Sequence, residues 1–318
     1  MIEGNPERRE ASWERGVIEK LAQSALDEQR RARRWGIFFK SLTFAYLLVL
    51  LFVATGWLQG RESLPGDHTA LIDLDGVISA DSPANAESIN QGLQDAFESK
   101  GTRGVILRIN SPGGSPVQAG NINTEIRRLR ERYPDVPLYA VVEDICASGG
   151  YYVAVAADRI YVDKASIVGS IGVLMDGFGF TGTMDKLGVD RRLLTAGENK
   201  GFLDPFSPVD PAQREYAKKM LGEIHQQFID VVRQGRGKRL KEAPDTFSGL
   251  VWTGQRSVDL GLADALGSVD FVAREVIKAE TIVDFTPRES IAERFAKRFG
   301  AAVGKALFQN AVSVPTMR

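Results

Sequence analysis

Two short glycine-rich stretches carry residue types from which acyl-transfer chemistry is built: Asn110-Ser111-Pro112-Gly113-Gly114-Ser115 and Cys146-Ala147-Ser148-Gly149-Gly150-Tyr151-Tyr152. Each follows an apolar run that reads as a buried strand and precedes a helical pattern, and the ends of parallel strands are where sites form. Glycines in such turns bring backbone N–H groups close to a ligand, where they can hold an anion or the oxyanion of acyl transfer. The same residues also serve plain turns that need their dihedral freedom. Ser148 would open a short helix, which suits either a nucleophile beside free amides or an ordinary helix cap.

A serine nucleophile needs a base. The chain has two histidines: His68 adjoins an apolar segment, and His225 lies inside a long helical pattern among Glu223 and Gln226. Neither is attached to a glycine-rich strand end, so both read as surface or packing residues. The base is then sought among lysines, because burial can leave an amine neutral. Lys200 lies in Gly197-Glu198-Asn199-Lys200-Gly201-Phe202-Leu203-Asp204-Pro205-Phe206, where glycines and aromatics could provide a partly apolar setting. Lys164, at a strand end after Asp163, and Lys186, at a solvated helical position, are its rivals.

The elements that must position these residues follow a β-then-α rhythm, which indicates a sheet with helical crossovers and parallel pairing. Residues 70–74, 104–109, 138–142 and 159–162 read as strands, and 86–99, 117–132 and 149–157 as helices. Asp210-Pro211 opens a helix to about Arg233 with Gly235 just past its end, and a second helical region runs from about Gly254 to Lys278. Ahead of this domain, residues 37–59 read as a transmembrane helix: 22 positions from Ile37 to Leu58 are interrupted by Lys40 alone, and about 20 apolar residues span a bilayer. Arg30, Arg31, Arg33 and Arg34 precede it, so the positive-inside bias keeps the leader, residues 1–36, in the cytoplasm. Residues 60–285 are then the extracytoplasmic domain. In the tail, 286–318, Ile291, Phe295, Phe299, Val303 and Leu307 fall four apart, as in an amphipathic helix. Forty Lys and Arg against 41 Asp and Glu leave no basic excess to favour nucleic acid as a partner.

Taken in order, Ser111-Pro112-Gly113-Gly114, Ala147-Ser148-Gly149-Gly150-Tyr151-Tyr152, Gly169-Ser170-Ile171-Gly172-Val173, Lys200 and Asp204-Pro205-Phe206 resemble the signal peptide peptidase A family over roughly residues 68–280. The resemblance is to the short, single-domain form. It implies an α/β fold of repeated β-α units related to the Clp protease and crotonase group, preceded here by one transmembrane helix. It implies a serine–lysine dyad, with Ser148 as nucleophile, Lys200 as base and Ser170 helping to hold the lysine. It further implies a homo-oligomer in which serine and lysine come from neighbouring chains, and a place in the bacterial inner membrane with the catalytic domain on the periplasmic side. Released signal peptides and other short apolar peptides would be the substrates, and no cofactor or metal is called for. In acyl transfer the N–H of Gly149 and one from the Gly113-Gly114 loop are the expected oxyanion donors. Asn199 stands where the family often has an aromatic, so the lining of the cleft departs there. Two other readings are a crotonase-like acyl-CoA enzyme and a non-catalytic membrane scaffold.

Overall fold

The computed structural model describes residues 6–54 and 66–287, which fall in two units: an N-terminal helix and the domain that follows. Helix α1 is one unbroken run, Pro6–Ala54. Within it Leu26–Phe52 is long and apolar enough to cross a membrane, by length and composition. Residues 55–59, the end of the expected span, lie outside the described residues, as does the tail from 288 onward.

The domain is built on a mixed sheet. Its elements are β1 (His68–Asp75), α2 (Ala86–Glu98), β2 (Thr102–Ser111), α3 (Pro116–Arg132), β3 (Leu138–Ala147), α4 (Gly149–Ala154), β4 (Arg159–Val162), β5 (Ile167–Gly169), α5 (Thr181–Leu187) and α6 (Pro211–Arg236). They continue with β6 (Val251–Thr253), α7 (Gly254–Asp259), β7 (Ala265–Leu266), α8 (Val269–Phe271) with a π-helical turn to Ile277, and β8 (Ile282–Asp284). Strands β8, β1, β2 and β3 run parallel, as the β-α rhythm requires. One sheet face, from Ile72 and Leu74 through Leu107 and Ile109 to Ala140 and Val142, packs against Leu93, Ile122 and Ile126 of α2 and α3. Each such fully buried side chain contributes roughly 1.5–3 kcal/mol. The helices start where side chains satisfy their first amides: Asn85 accepts from Ser88, Ser115 from Gln118 ahead of Pro116, and Asp210 from Ala212 ahead of Pro211.

Near its end β3 bulges. Ile109 pairs with Val142 but Ser111 pairs with Cys146, so extra residues of β3 lie between the two pairings. The bulge forks the sheet: Tyr139, Ala140 and Val141 pair with β4, whereas Ile145, Cys146 and Ala147 pair with β5. The buried Ser166 hydroxyl holds the bulge by donating to the Glu143 carbonyl at 2.5 Å. Beyond β5 the edge is antiparallel β6.

Two expectations need correction. Helix α6 runs through Gly235 to Arg236, because this glycine serves close approach rather than termination: a Cβ there would lie 2.2 Å from the Val155 carbonyl oxygen. The expected helical region 254–278 is broken, because Ala265 and Leu266 pair in parallel with Tyr161 and Val162 of β4. Asp264 also exchanges backbone and side-chain hydrogen bonds with Ile160.

Between β5 and α6 the chain leaves the core. No residue from Gly172 to Asp210 is buried, and Leu174, Phe178 and Leu194 are 79%, 81% and 96% exposed. This arm is nevertheless built: Phe180 N–H donates to the Pro205 carbonyl at 2.8 Å, and the Phe180 and Phe206 rings stack at 5.4 Å.

Candidate active site

Strand β3 delivers Ser148 at the start of α4 with φ 50° and ψ −121°, and β5 delivers Ser170 with φ 51°. Both lie in a region disfavoured for side-chain-bearing residues, at a cost of order 1–3 kcal/mol each. Hydrogen bonds hold them there: Ser148 N–H donates to the Gly169 carbonyl and Ser170 N–H to that of Leu250, each at 2.8 Å. The register that sets Ala147 opposite Gly169 brings the two serines side by side. Of the two readings open for Ser148, the helix cap drops out, because its side chain makes no capping hydrogen bond.

The Pro112–Ser115 loop lies against this turn. Gly113 and Gly114 have φ of 99° and 148°, and a Cβ on Gly113 would stand 2.6 Å from Gly149 N and 2.7 Å from Ser148 Cβ. No other residue fits that contact. The Gly113 N–H donates to Ser111 Oγ at 3.1 Å and is therefore spent. The N–H groups of Gly114 and Gly149 have no acceptor among the described residues. Of the three expected donors, Gly149 and Gly114 are the ones left free to hold an oxyanion.

Ser148, Ser170, Gly149 and Gly114 line one cavity of about 540 Å³ with Ala119, Tyr152, Val173, Leu174 and Phe228. Tyr152 packs its ring 5.1 Å from that of Phe228, and burial pushes its phenol up against a smaller opposing effect of Arg127. None of the lining residues is a lysine, histidine, aspartate or glutamate. Lys200 and Lys186 are exposed on the arm and Lys164 is exposed between β4 and β5, all three outside this cavity. His225 donates from Nε2 to the Ile171 carbonyl at 3.1 Å, and buried His68 sits at the start of β1, opposite the strand ends that carry the site. Cys146, two residues before Ser148, is fully buried, which pushes its thiol far up and leaves it inert. The apolar lining beyond Tyr152 was not legible as a site in the sequence: Phe228 reads there as one more core position of a helix.

A serine on a strained strand-to-helix turn, with two free amides beside it, defines a serine hydrolase-type site. The comparisons with known proteins are specific. The model of peptidase family S49 matches residues 130–282, which include Ser148, Ser170 and Lys200. A putative protease of Synechocystis is 30% identical over 199 residues, covering 63% of this chain and 69% of that protein. A putative signal peptide peptidase SppA of Enterococcus faecium is 26% identical over 234 residues, 71% of this chain and 67% of that one. A Brucella melitensis protein named Na(+)/H(+) antiporter NhaA is 47% identical over 177 residues, 56% of this chain; the chain spans about a quarter of that relative's length, 24%. The chain belongs to peptidase family S49.

Proposed function

We propose that this chain is a membrane-anchored serine endopeptidase that hydrolyses released signal peptides and other short apolar peptides with a Ser148–Lys200 dyad. One observation carries the reading: the Ser148 cavity has a nucleophile and two free amides but no base in its lining. The base therefore comes from outside the chain's own cavity. Lys200 stands on an exposed arm rich in apolar side chains, and such surface calls for a partner. A second copy, placing its arm over this cavity, supplies Lys200 and excludes water together. The amine takes the Ser148 proton, Oγ attacks the peptide carbonyl, and Gly149 and Gly114 hold the oxyanion. Collapse releases the amine half of the peptide, which takes the proton from Lys200, and water then frees the acyl half. Ser170 orients the lysine amine. The apolar lining suits apolar side chains, and a helix long and apolar enough to cross a membrane supports substrates that arise at a membrane.

Full-length protein in detergent is expected to react with a fluorophosphonate, and peptide mapping should find the adduct on Ser148. No adduct, or an adduct on another serine, would remove the peptidase reading. The Arg30–Arg34 cluster ahead of the apolar segment supports an orientation with the N-terminal leader in the cytoplasm. A reporter enzyme active only outside the cytoplasm, fused after Arg318, should be active. A silent fusion whose cytoplasmic counterpart works would reverse the topology.

A further inference from the structure

We infer that Ser111 is a positioning residue for the oxyanion hole, its hydroxyl fixing which glycine amide faces the cavity; this rests on the acyl-transfer reading of Ser148. Ser111 ends β2 and is fully buried. Its hydroxyl has a single proton, given to the Gly76 carbonyl at 2.6 Å, and it accepts the Gly113 N–H at 3.1 Å. The Gly113 carbonyl accepts from Ile78 N–H at 2.8 Å, and the Ile78 carbonyl accepts from Ser115 N–H at 2.8 Å. The Gly113 N–H and carbonyl and the Ser115 N–H are therefore all pinned, and the Gly114 N–H between them is left without an acceptor among the described residues, free to face the cavity.

Two successive glycines offer no side chains to pack, so hydrogen bonds must set the shape of this loop. Ser111 provides the side-chain bond among them. It also lies against the residue after Gly149, because a Cβ on Gly150 would stand 3.0 Å from the Ser111 carbonyl oxygen and 3.3 Å from its Cβ. Removing the hydroxyl releases the Gly113 N–H, which then competes with Gly114 for the inward position. An oxyanion donor displaced in this way acts on the transition state more than on bound substrate.

The test compares Ser111→Ala and Ser111→Thr with the parent, as full chains in detergent, with competent sites counted by fluorophosphonate titration. For Ser111→Ala, kcat per titrated site should fall about 10- to 100-fold with KM within about twofold, a peptide boronic acid should lose affinity by the same factor, and Ser111→Thr should recover most of the loss. A purely structural role would lower the number of titrated sites or the melting temperature while leaving kcat per site and boronate affinity at parental values; that result overturns the inference. Should Ser111→Ala fail to fold, Ser111→Thr and Ser111→Cys decide, because kcat per site must then be lower with the weaker-bonding thiol. Equal values overturn it. A parent that hydrolyses peptides but is matched by Ser111→Ala sinks only this inference, whereas an inert parent sinks the peptidase reading.

Discussion

Ser148→Ala and Lys200→Ala are each expected to lower peptide hydrolysis by at least about 10⁴-fold, and the double variant should be no worse than either, because residues that act as a unit do not lose activity additively. The two inactive variants should nevertheless rescue each other. Since Lys200 lies outside the Ser148 cavity of its own chain, a Ser148→Ala subunit still presents a working lysine and a Lys200→Ala subunit a working serine. Mixed during refolding or co-expression, they should regain a measurable fraction of parental turnover. Co-assembled mixtures that stay inactive, with subunit mixing demonstrated, would place the dyad within one chain. Retained turnover in Lys200→Ala together with loss in Lys164→Ala or Lys186→Ala would move the base.

Arg236→Ala is expected to destabilise the domain by about 3 kcal/mol or more, a large share of a typical total of about 5–15 kcal/mol. Arg236 ends α6 with its side chain 1% exposed, donating to both Asp264 oxygens at 2.8 and 2.9 Å and to the Gly261 carbonyl at 2.8 Å. Tyr151 of α4, three residues after Ser148, donates its hydroxyl to the adjacent Leu262 carbonyl at 2.8 Å, so the pair braces the helix behind Ser148. Burial pushes the Asp264 carboxyl up, but the Arg236 hydrogen bond and charge, the Ile160 N–H and Arg239 together hold it below its ordinary value. A folded value below the unfolded one means the stabilisation is whole above about pH 4 and is lost as pH falls through the folded value. Denaturant titrations of the full chain should therefore give a steeper loss of stability on acidification for the parent than for Arg236→Met/Asp264→Leu. That double variant should itself lose less stability than Arg236→Ala at neutral pH, because it leaves no buried carboxylate unpaired, although the Ile160 N–H and Gly261 carbonyl lose their partners. Equal stability of Arg236→Ala and parent would deny the pair any structural role.

The parallel core was legible because its strands are continuous apolar runs and its helices begin at capping residues followed by a helical period. β1, α2, β2, α3 and β4 fall where pattern and caps placed them. Strand β3 continues past Val142 through the charged Glu143-Asp144 pair, which breaks the apolar run although the chain stays extended through a bulge. The three-residue strands β5 and β6 are too short to display a period, and β7 exists because β4 offers it an edge. At the site, Ser148 and the two glycine turns were visible because their chemistry is local. The absence of any base from the cavity lining was not, because it depends on where the arm carries Lys200, which no local pattern states. Nor did spacing reveal that Ser111 occupies the Gly113 N–H, a contact that exists only once Gly76, Ile78 and the loop meet.

The fork in β3 divides the domain into regions of unequal local stability. The lower half of the strand is sandwiched between β2 and β4 in the core, whereas the upper half, which leads into Ser148, keeps one pairing with β2, at Cys146, and leans on β5, itself backed by a three-residue edge strand. Opening that corner exposes Cys146 and Val168 but leaves the β1–β2–β4 core packed, so it costs less than unfolding the whole sheet. Loss of the site and global melting are thus expected to follow separate equilibria: warming or mild denaturant should disorder the Ser148 turn first, while the folded body persists and can re-form it on return.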